Sequence, residues 1–164
     1  MSKTRDIPRA AKIIDGRMVV NDFELSSFYF QSIAIRKTRN FSRILKEKHG
    51  IGVVEWRLIS GLAGQPGSAV SKLSRFTLTD KAQVSKALKS LEKKGIVALV
   101  PKKAVRKMAS LTDEGYMLHD AFISTVFRRE SVIFEGWDEG EVDRFFKMLR
   151  RVSENLDKFM EEEI

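Results

Sequence analysis

The sequence contains no cysteine. That excludes disulfides, thiolate metal sites and cysteine-based catalysis or redox sensing. Histidine is scarce as well: His49 and His119 are far apart and neither sits in a ligand spacing, so no metal chemistry is expected. No window approaches the run of about eighteen apolar residues that a membrane span needs. The start, MSKTRDIPRAAKIIDGR, has no apolar signal core. A cytoplasmic protein is the expectation. A Gly-rich phosphate loop is missing, and serine and histidine fall into no nucleophile arrangement. The acidic clusters DEGE (138–141) and EEEI (161–164) lie at a helix start and at the chain end, where dipole complementarity and solvated charge explain them. Neither an enzyme nor a cofactor is expected.

Negative charge is also scarce in one place. Residues 68–109 carry eleven Lys or Arg against only Asp80 and Glu92, although the whole chain has a net charge of +8. Lysines gathered this way suit a polyanion, because bringing them near phosphates releases condensed counterions. A merely solvated helix face is the bland alternative. With 164 residues, 43% of them apolar, the chain has material for one compact structural unit with a real core.

Apolar periodicity divides the chain. Residues 1–22 form an N-terminal extension. Asn21 and Glu24 have capping-box spacing, and Phe28, Ile35, Phe41, Ile44 and Leu45 then recur at helical steps until Gly50. Residues 53–63 form a second helix, with Val54, Leu58, Ile59 and Leu62 inward, and GQPG (64–67) ends it. A short third helix holds Val70 and Leu73, and the link TLT (77–79) follows. In the next segment, Val84, Ala87, Leu88 and Leu91 make a core-facing stripe while Lys86, Lys89 and Lys93 point the other way.

Short helix, tight link and second helix with a basic outer face is the pattern of a helix-turn-helix. Either Thr79 or Asp80 caps the second helix. Lys81, Ala82, Gln83 and Lys86 then lie nearest the major groove, with Ser85 on the flank and Lys89 farther along the outer face. After Gly95 the period changes: IVALVP (96–101) and KMASL (107–111) read as two strands joined by the basic loop KKAVR (102–106). Such a hairpin is a wing, and Lys102, Lys103 and Arg106 can reach a phosphate backbone or a minor groove.

The C-terminal segment, 112–164, reads as two further helices. Met117, Leu118, Ala121, Phe122 and Val126 recur helically, and DEGE (138–141) has capping-box form. The last helix carries Val142, Phe145, Phe146, Leu149, Val152, Leu156 and Phe159 at alternating three- and four-residue steps. That stripe serves either an intramolecular core or a dimer. A dimer is preferred, with Phe145, Leu149, Val152 and Leu156 in the contact, because residues 53–111 can close their own core.

Four features carry a family resemblance: the Trp56-Arg57 pair, the Asp80-Lys81 helix start, the exit Leu91-Glu92-Lys93-Lys94-Gly95, and Leu111-Thr112 at the strand end. With them, the chain from about residue 25 to 156 resembles the MarR family of bacterial transcriptional regulators. The resemblance implies a mainly α fold with a small β-hairpin wing. In it a winged helix-turn-helix (53–111) sits between a first dimerisation helix (23–50) and C-terminal dimerisation helices (112–164). It further implies a homodimer on a near-palindromic site in double-stranded DNA, acting as repressor or activator and responding to a small aromatic or lipophilic effector. A repressor released by its ligand is the expectation.

For that effector, Phe28, Ser32 and Arg36 fall at four-residue steps on the first helix and Trp56 opens the second. One departure stands out. Where the family's wing commonly has Asp-x-Arg, this chain has Lys103 and Val105, with Arg106 one place later. Two readings follow: Arg106 substitutes after a small shift of the loop, or Lys102 and Lys103 contact phosphates. A protein-interaction module whose basic face meets an acidic partner is the alternative function.

Overall fold

The computed structural model describes residues 10–102 and 106–162. The chain divides into two compact units, Met1–Gly115 and Tyr116–Ile164.

The first unit begins with a β-hairpin, β1 (Ala11–Ile14) and β2 (Arg17–Val20), with Ala11 opposite Val20 and Ile14 opposite Arg17. Asp15 and Gly16 turn the chain at positive φ, 48° and 73°. An Asp-Gly pair between two short β-prone runs is a strong hairpin signal. Residues 11–20 of the N-terminal extension thus form a hairpin. One 3-10 turn, Asp22–Glu24, leads into α1 (Ser26–His49). The expected capping box does not form, because the Glu24 N–H donates to the Asn21 carbonyl within that turn, and α1 starts after Leu25 with no side-chain cap. Its end is as expected: Gly50 takes the left-handed conformation, φ 62°, and its N–H returns to Lys46 at 3.0 Å.

Four elements then build the core of this unit. They are α2 (Val53–Gly64), α3 (Val70–Thr77), α4 (Lys81–Lys93) and a sheet of order β3-β5-β4, where β3 is Ser68–Ala69, β4 Val97–Lys102 and β5 Arg106–Leu111. Leu45 of α1, Leu58, Ile59 and Leu62 of α2, and Val84 and Leu91 of α4 are fully buried. Each such side chain contributes on the order of 1.5–3 kcal/mol. Strand β3 was not legible beforehand: two residues, paired Ser68 to Ala109 and Ala69 to Met108, are too few to show a period. The inward pairs of the wing, Val97 with Leu111 and Leu99 with Ala109, follow strand alternation. Gly115 allows α5 to start against the wing, because a Cβ there would run into the Ile96 carbonyl oxygen.

In the second unit, α5 (Asp113–Ile133, of which the first residues belong to the first unit) is followed by a corner and α6 (Glu139–Glu162). The capping box at the corner is real: the Asp138 N–H donates to the Glu141 carboxylate at 2.9 Å and the Glu141 N–H to the Asp138 carboxylate at 2.8 Å. Phe134, Trp137, Phe145 and Phe146 cluster there, with ring centroids 5.4–5.9 Å apart. No residue of α6 is fully buried.

Backbone strain is concentrated at Leu78, between α3 and α4. It has φ 50° and ψ 43°, yet its side chain is 90% exposed. A left-handed residue with a Cβ costs about 1–2 kcal/mol, and glycine's extra freedom in the unfolded chain offsets about 0.5–1 kcal/mol. Leu78→Gly is therefore expected to raise stability by about 0.5–1 kcal/mol in urea unfolding. A loss of stability would mean that the exposed side chain makes a contribution its accessibility does not reveal.

Candidate nucleic-acid interface

The turn between α3 and α4 is built by short polar side chains. The buried Thr77 hydroxyl donates back to the Leu73 carbonyl at 2.9 Å, and Ser74 reaches the Thr79 carbonyl at 2.6 Å. Arg57 of α2 donates to the Thr77 carbonyl at 3.3 Å, so the Trp56-Arg57 pair splits between core and turn. Of the two candidate caps, Asp80 is the one used: its Oδ1 accepts from the Gln83 N–H at 2.8 Å. Thr79 instead donates to the Thr77 carbonyl at 3.1 Å.

Capping and burial together set the roll of α4. Val84, Leu88 and Leu91 face the core, Ala87 and Ser85 are half-buried, and Lys81, Ala82, Gln83, Lys86, Lys89 and Lys93 are exposed. Gln83 and Lys93 are ten residues apart, roughly 15 Å along the axis. The exposed row therefore has the length to run through a major groove about 12 Å wide. Among the described residues, no ion pair occupies Lys81, Lys86, Lys89 or Lys93.

Lys94 behaves differently. Its ammonium donates to the Gly50 carbonyl at 2.8 Å and to Glu55 at 3.0 Å, so it is turned inward and away from this row. Partial burial alone would raise the Glu55 carboxyl. Hydrogen bonds from the Gly52 N–H, Ser90 and Lys94, with the lysine's charge, outweigh that and hold its pKa below the ordinary carboxylate range.

Two cations on α3 extend the surface. Lys72 and Arg75 are exposed on the helix preceding the turn, where a helix-turn-helix crosses the backbone. They belong to the basic segment but were not singled out, since an eight-residue helix shows little periodicity. On the wing, Lys102 and Arg106 are backbone partners at the end of the hairpin. Lys103 and the side chains of Lys102 and Arg106, which bear on the missing Asp-x-Arg, lie outside the described residues.

Basicity also extends beyond the expected segment. Arg36, Arg39, Arg43 and Lys46 of α1 lie at three- and four-residue steps on the side opposite the buried Phe41 and Leu45. Arg43 is partly engaged by Glu47 at 3.7 Å and Asn40 at 3.2 Å.

The four effector residues do not gather in one place. Trp56 is a core residue, 6% exposed and edge-on to Phe41 at 6.0 Å. Phe28 packs with Phe23 and Tyr29, thirteen residues before Phe41 on α1 and thus roughly 20 Å from the indole's neighbour. Ser32 and Arg36 share a stripe with Phe28, and Arg36 Nε donates to the Ser32 carbonyl at 3.4 Å. Farther along α1, Ala34, Ile35, Thr38, Arg39 and Ser42 line an open groove of about 550 Å³. Among the dimer candidates, Phe145 belongs to the aromatic corner, Leu149 is half-buried, and Val152 and Leu156 are exposed.

Residues 49–107 match the model of the MarR family. No curated protein matches the chain. A solved MarR/EmrR family transcriptional regulator from Acinetobacter sp. ADP1 is similar at TM-score 0.76 and 27% identity, over 85% of this chain and 99% of that one. S. aureus MepR, solved as a DNA complex, matches at TM-score 0.74 and 21% identity, over 83% and 99% of the two chains. Bordetella bronchiseptica BpsR, whose DNA binding is regulated by 6-hydroxynicotinic acid, matches at TM-score 0.72 and 16% identity, over 82% and 97%.

The geometry sets two expectations. Asp80→Ala removes the cap of α4 and should cost about 1 kcal/mol of stability, read from chemical denaturation. Glu55 has a folded pKa below its unfolded one, so its contribution is present above the unfolded value near about 4.3 and is lost as pH falls through the folded value. Glu55→Gln should accordingly flatten the acid limb of a stability–pH profile. An unchanged acid limb would place the titrating groups elsewhere.

Proposed function

We propose that this chain, whose residues 49–107 match the model of the MarR family of transcriptional regulators, is a homodimeric repressor which reads a near-palindromic DNA site and releases it when a small aromatic or lipophilic anion binds. The observation that carries DNA reading is the outward row on α4. Gln83 is the exposed side chain there that can make a bidentate base contact, while Lys81, Lys86, Lys89 and Lys93 are cations without carboxylate partners among the described residues. Gln83 with Lys86 reads base edges near the start of the helix. Ser85 supports them from the flank, and Lys89 with Lys102, Lys103 and Arg106 holds phosphates.

Support for the dimer comes from apolar side chains that a single chain leaves uncovered. Leu156, Phe159 and Met160 of α6 are 53–61% exposed, and Tyr29 and Ile33 of α1 are 54% and 49% exposed. Water makes such surfaces costly, and a second copy covers them in one step. Release by a ligand draws on the same helix. Phe28, Ser32 and Arg36 sit on α1 beside the groove at Ala34 and Arg39, where an aryl group and a cation fall within one helical stretch. Trp56 acts there only as the packing that fixes α1 at Phe41. A tenfold change in DNA affinity requires only about 1.4 kcal/mol of differential binding. The protein acts in the cytoplasm, where its DNA lies.

The test is selection of a duplex from a random pool, followed by affinity measurements on that duplex and on random DNA at several salt concentrations. Gln83→Ala should narrow the preference for the selected duplex at one position per half-site. Lys89→Ala should weaken both duplexes and make the salt slope shallower by roughly one unit. Equal losses on both duplexes from Gln83→Ala would remove its base-reading role. Absence of sequence preference together with tight binding to acidic peptides would favour the protein-interaction module instead.

Half-site centres should lie about 10 base pairs apart, since two-fold-related helices must enter successive major grooves on one side. Val152→Glu and Leu156→Glu should shift the protein to monomer in sedimentation and weaken operator binding together. A stable monomer with full operator affinity would contradict the dimer.

A further inference from the structure

We propose that Lys94 is a positioning residue for DNA reading: it ties the exit of α4 to the corner between α1 and α2, and it is not one of the cations that meet phosphate. The proposal rests on the reading of α4 as the helix in the groove. Its basis is a small polar junction. Lys94 Nζ donates to the Gly50 carbonyl at 2.8 Å and to Glu55 Oε1 and Oε2 at 3.0 and 3.3 Å. The Gly52 N–H donates to Glu55 Oε2 at 2.7 Å, and Ser90 of α4 helps to hold the pKa of the same carboxylate down. The Glu55 side chain is only 13% exposed and that of Lys94 34%.

Three elements therefore meet at one ion pair: the end of α1 through the Gly50 carbonyl, which accepts from Lys94, the start of α2 through Gly52 and Glu55, and the exit of α4 through its C-cap residue Lys94. Because the pair is sheltered, removing one partner leaves the other desolvated and unpaired, unlike the loss of a surface salt bridge.

What this junction adds is direction. The other attachments of α4 are of two kinds. Val84, Leu88 and Leu91 bury apolar surface, which is non-directional and tolerates a small roll or tilt. Asp80 caps its own helix and fixes nothing relative to the neighbours. Just beyond the helix, Thr112 donates to the Gly95 carbonyl at 2.6 Å, which holds the strand exit. Among the described residues, the side-chain hydrogen bonds that join the exit of α4 to distant elements come from its C-cap residue Lys94.

Gln83 lies eleven residues from Lys94, roughly 16 Å along the axis. A tilt of about 10° at the exit then moves the reading end by roughly 3 Å, whereas a bidentate base contact needs hydrogen-bond geometry good to about 0.5 Å. Flexible lysines on phosphates absorb the same displacement. Loss of the tether should thus damage sequence discrimination and spare the electrostatic part of binding.

The experiment uses full-length Lys94→Met, which keeps the stem and loses charge and donors, with Lys94→Arg and Glu55→Gln beside it. Each is titrated against the duplex selected by wild type and against random duplex, over a range of salt. For Lys94→Met the expected result is about a tenfold loss on the selected duplex, comparable to one spoiled base contact. Affinity for random duplex and the salt slope should be unchanged, and Lys94→Arg should recover most of the loss.

A parallel loss on both duplexes with a slope shallower by about one unit would make Lys94 a phosphate contact and overturn the proposal. Wild-type affinity of Lys94→Met for the selected duplex would overturn it as well. If Lys94→Met does not fold, Glu55→Gln decides. It keeps an acceptor for the Gly52 N–H and for Lys94 while removing the ion pair, and should show the same pattern at smaller amplitude. Full wild-type discrimination from that variant would then be the contrary result. A wild-type protein that selects no sequence would sink the reading of α4 itself, which is a separate outcome.

Discussion

A thirteen-residue helix has to be buried and presented at once, and the structure is arranged around that double demand on α4. Three aliphatic side chains, Val84, Leu88 and Leu91, hold it against the core, while four lysines on its other side stay in water. Neither face works without the other. The lysines repel one another and gain nothing from folding, so the stability of the arrangement comes from the apolar stripe and from the Asp80 cap. Around this helix, α2 supplies Leu58, Ile59 and Leu62 as a floor, α3 sets the turn, and the wing closes the end.

Charge is divided along the chain more sharply than the basic segment alone suggests. Residues 1–115 hold 23 Lys or Arg against 10 Asp or Glu, whereas residues 116–164 hold 7 against 12. The cations of α1, Arg36 to Lys46, belong to this first, basic unit. A field of one sign on one unit steers a polyanion toward it from beyond contact distance and accelerates encounter, at a strength that falls with salt. Sequence recognition by a DNA-binding protein is in general a different matter, carried by a few short-range hydrogen bonds whose geometry depends on how the reading element is held.

Some large apolar side chains of the chain stand in water. The N-terminal hairpin is a plain instance: Ile13 and Met18 face each other across the strands and are 77% and 79% exposed. A two-stranded hairpin is at best marginally stable in water by itself. Like the exposed end of α6, it carries apolar side chains that the rest of the chain does not cover.

Periodicity made the helices legible, and with them the winged helix-turn-helix, because burial of one face imposes a 3.6-residue repeat on any helix at a core surface. The stripe of α4, the capping box at Asp138 and Glu141, and the stop at Gly50 are all local and could be read from neighbours in the chain. The Asp15-Gly16 hairpin is equally local, with its turn signal inside the N-terminal extension. Other features depended on residues far apart in sequence. Asn21 and Glu24 had the spacing of a cap, but a 3-10 turn took their backbone groups. Trp56 had the look of a ligand wall, but Phe41 packs against it. Lys94 stood in a row of five similar lysines, and only the meeting of α4 with the α1–α2 corner turned it to Gly50 and Glu55. Chemistry along the chain decides which faces are apolar or charged. Which charged side chain becomes a structural bond depends on the carboxylate and carbonyl that folding brings within 3 Å, and that distance is a property of the packed molecule alone.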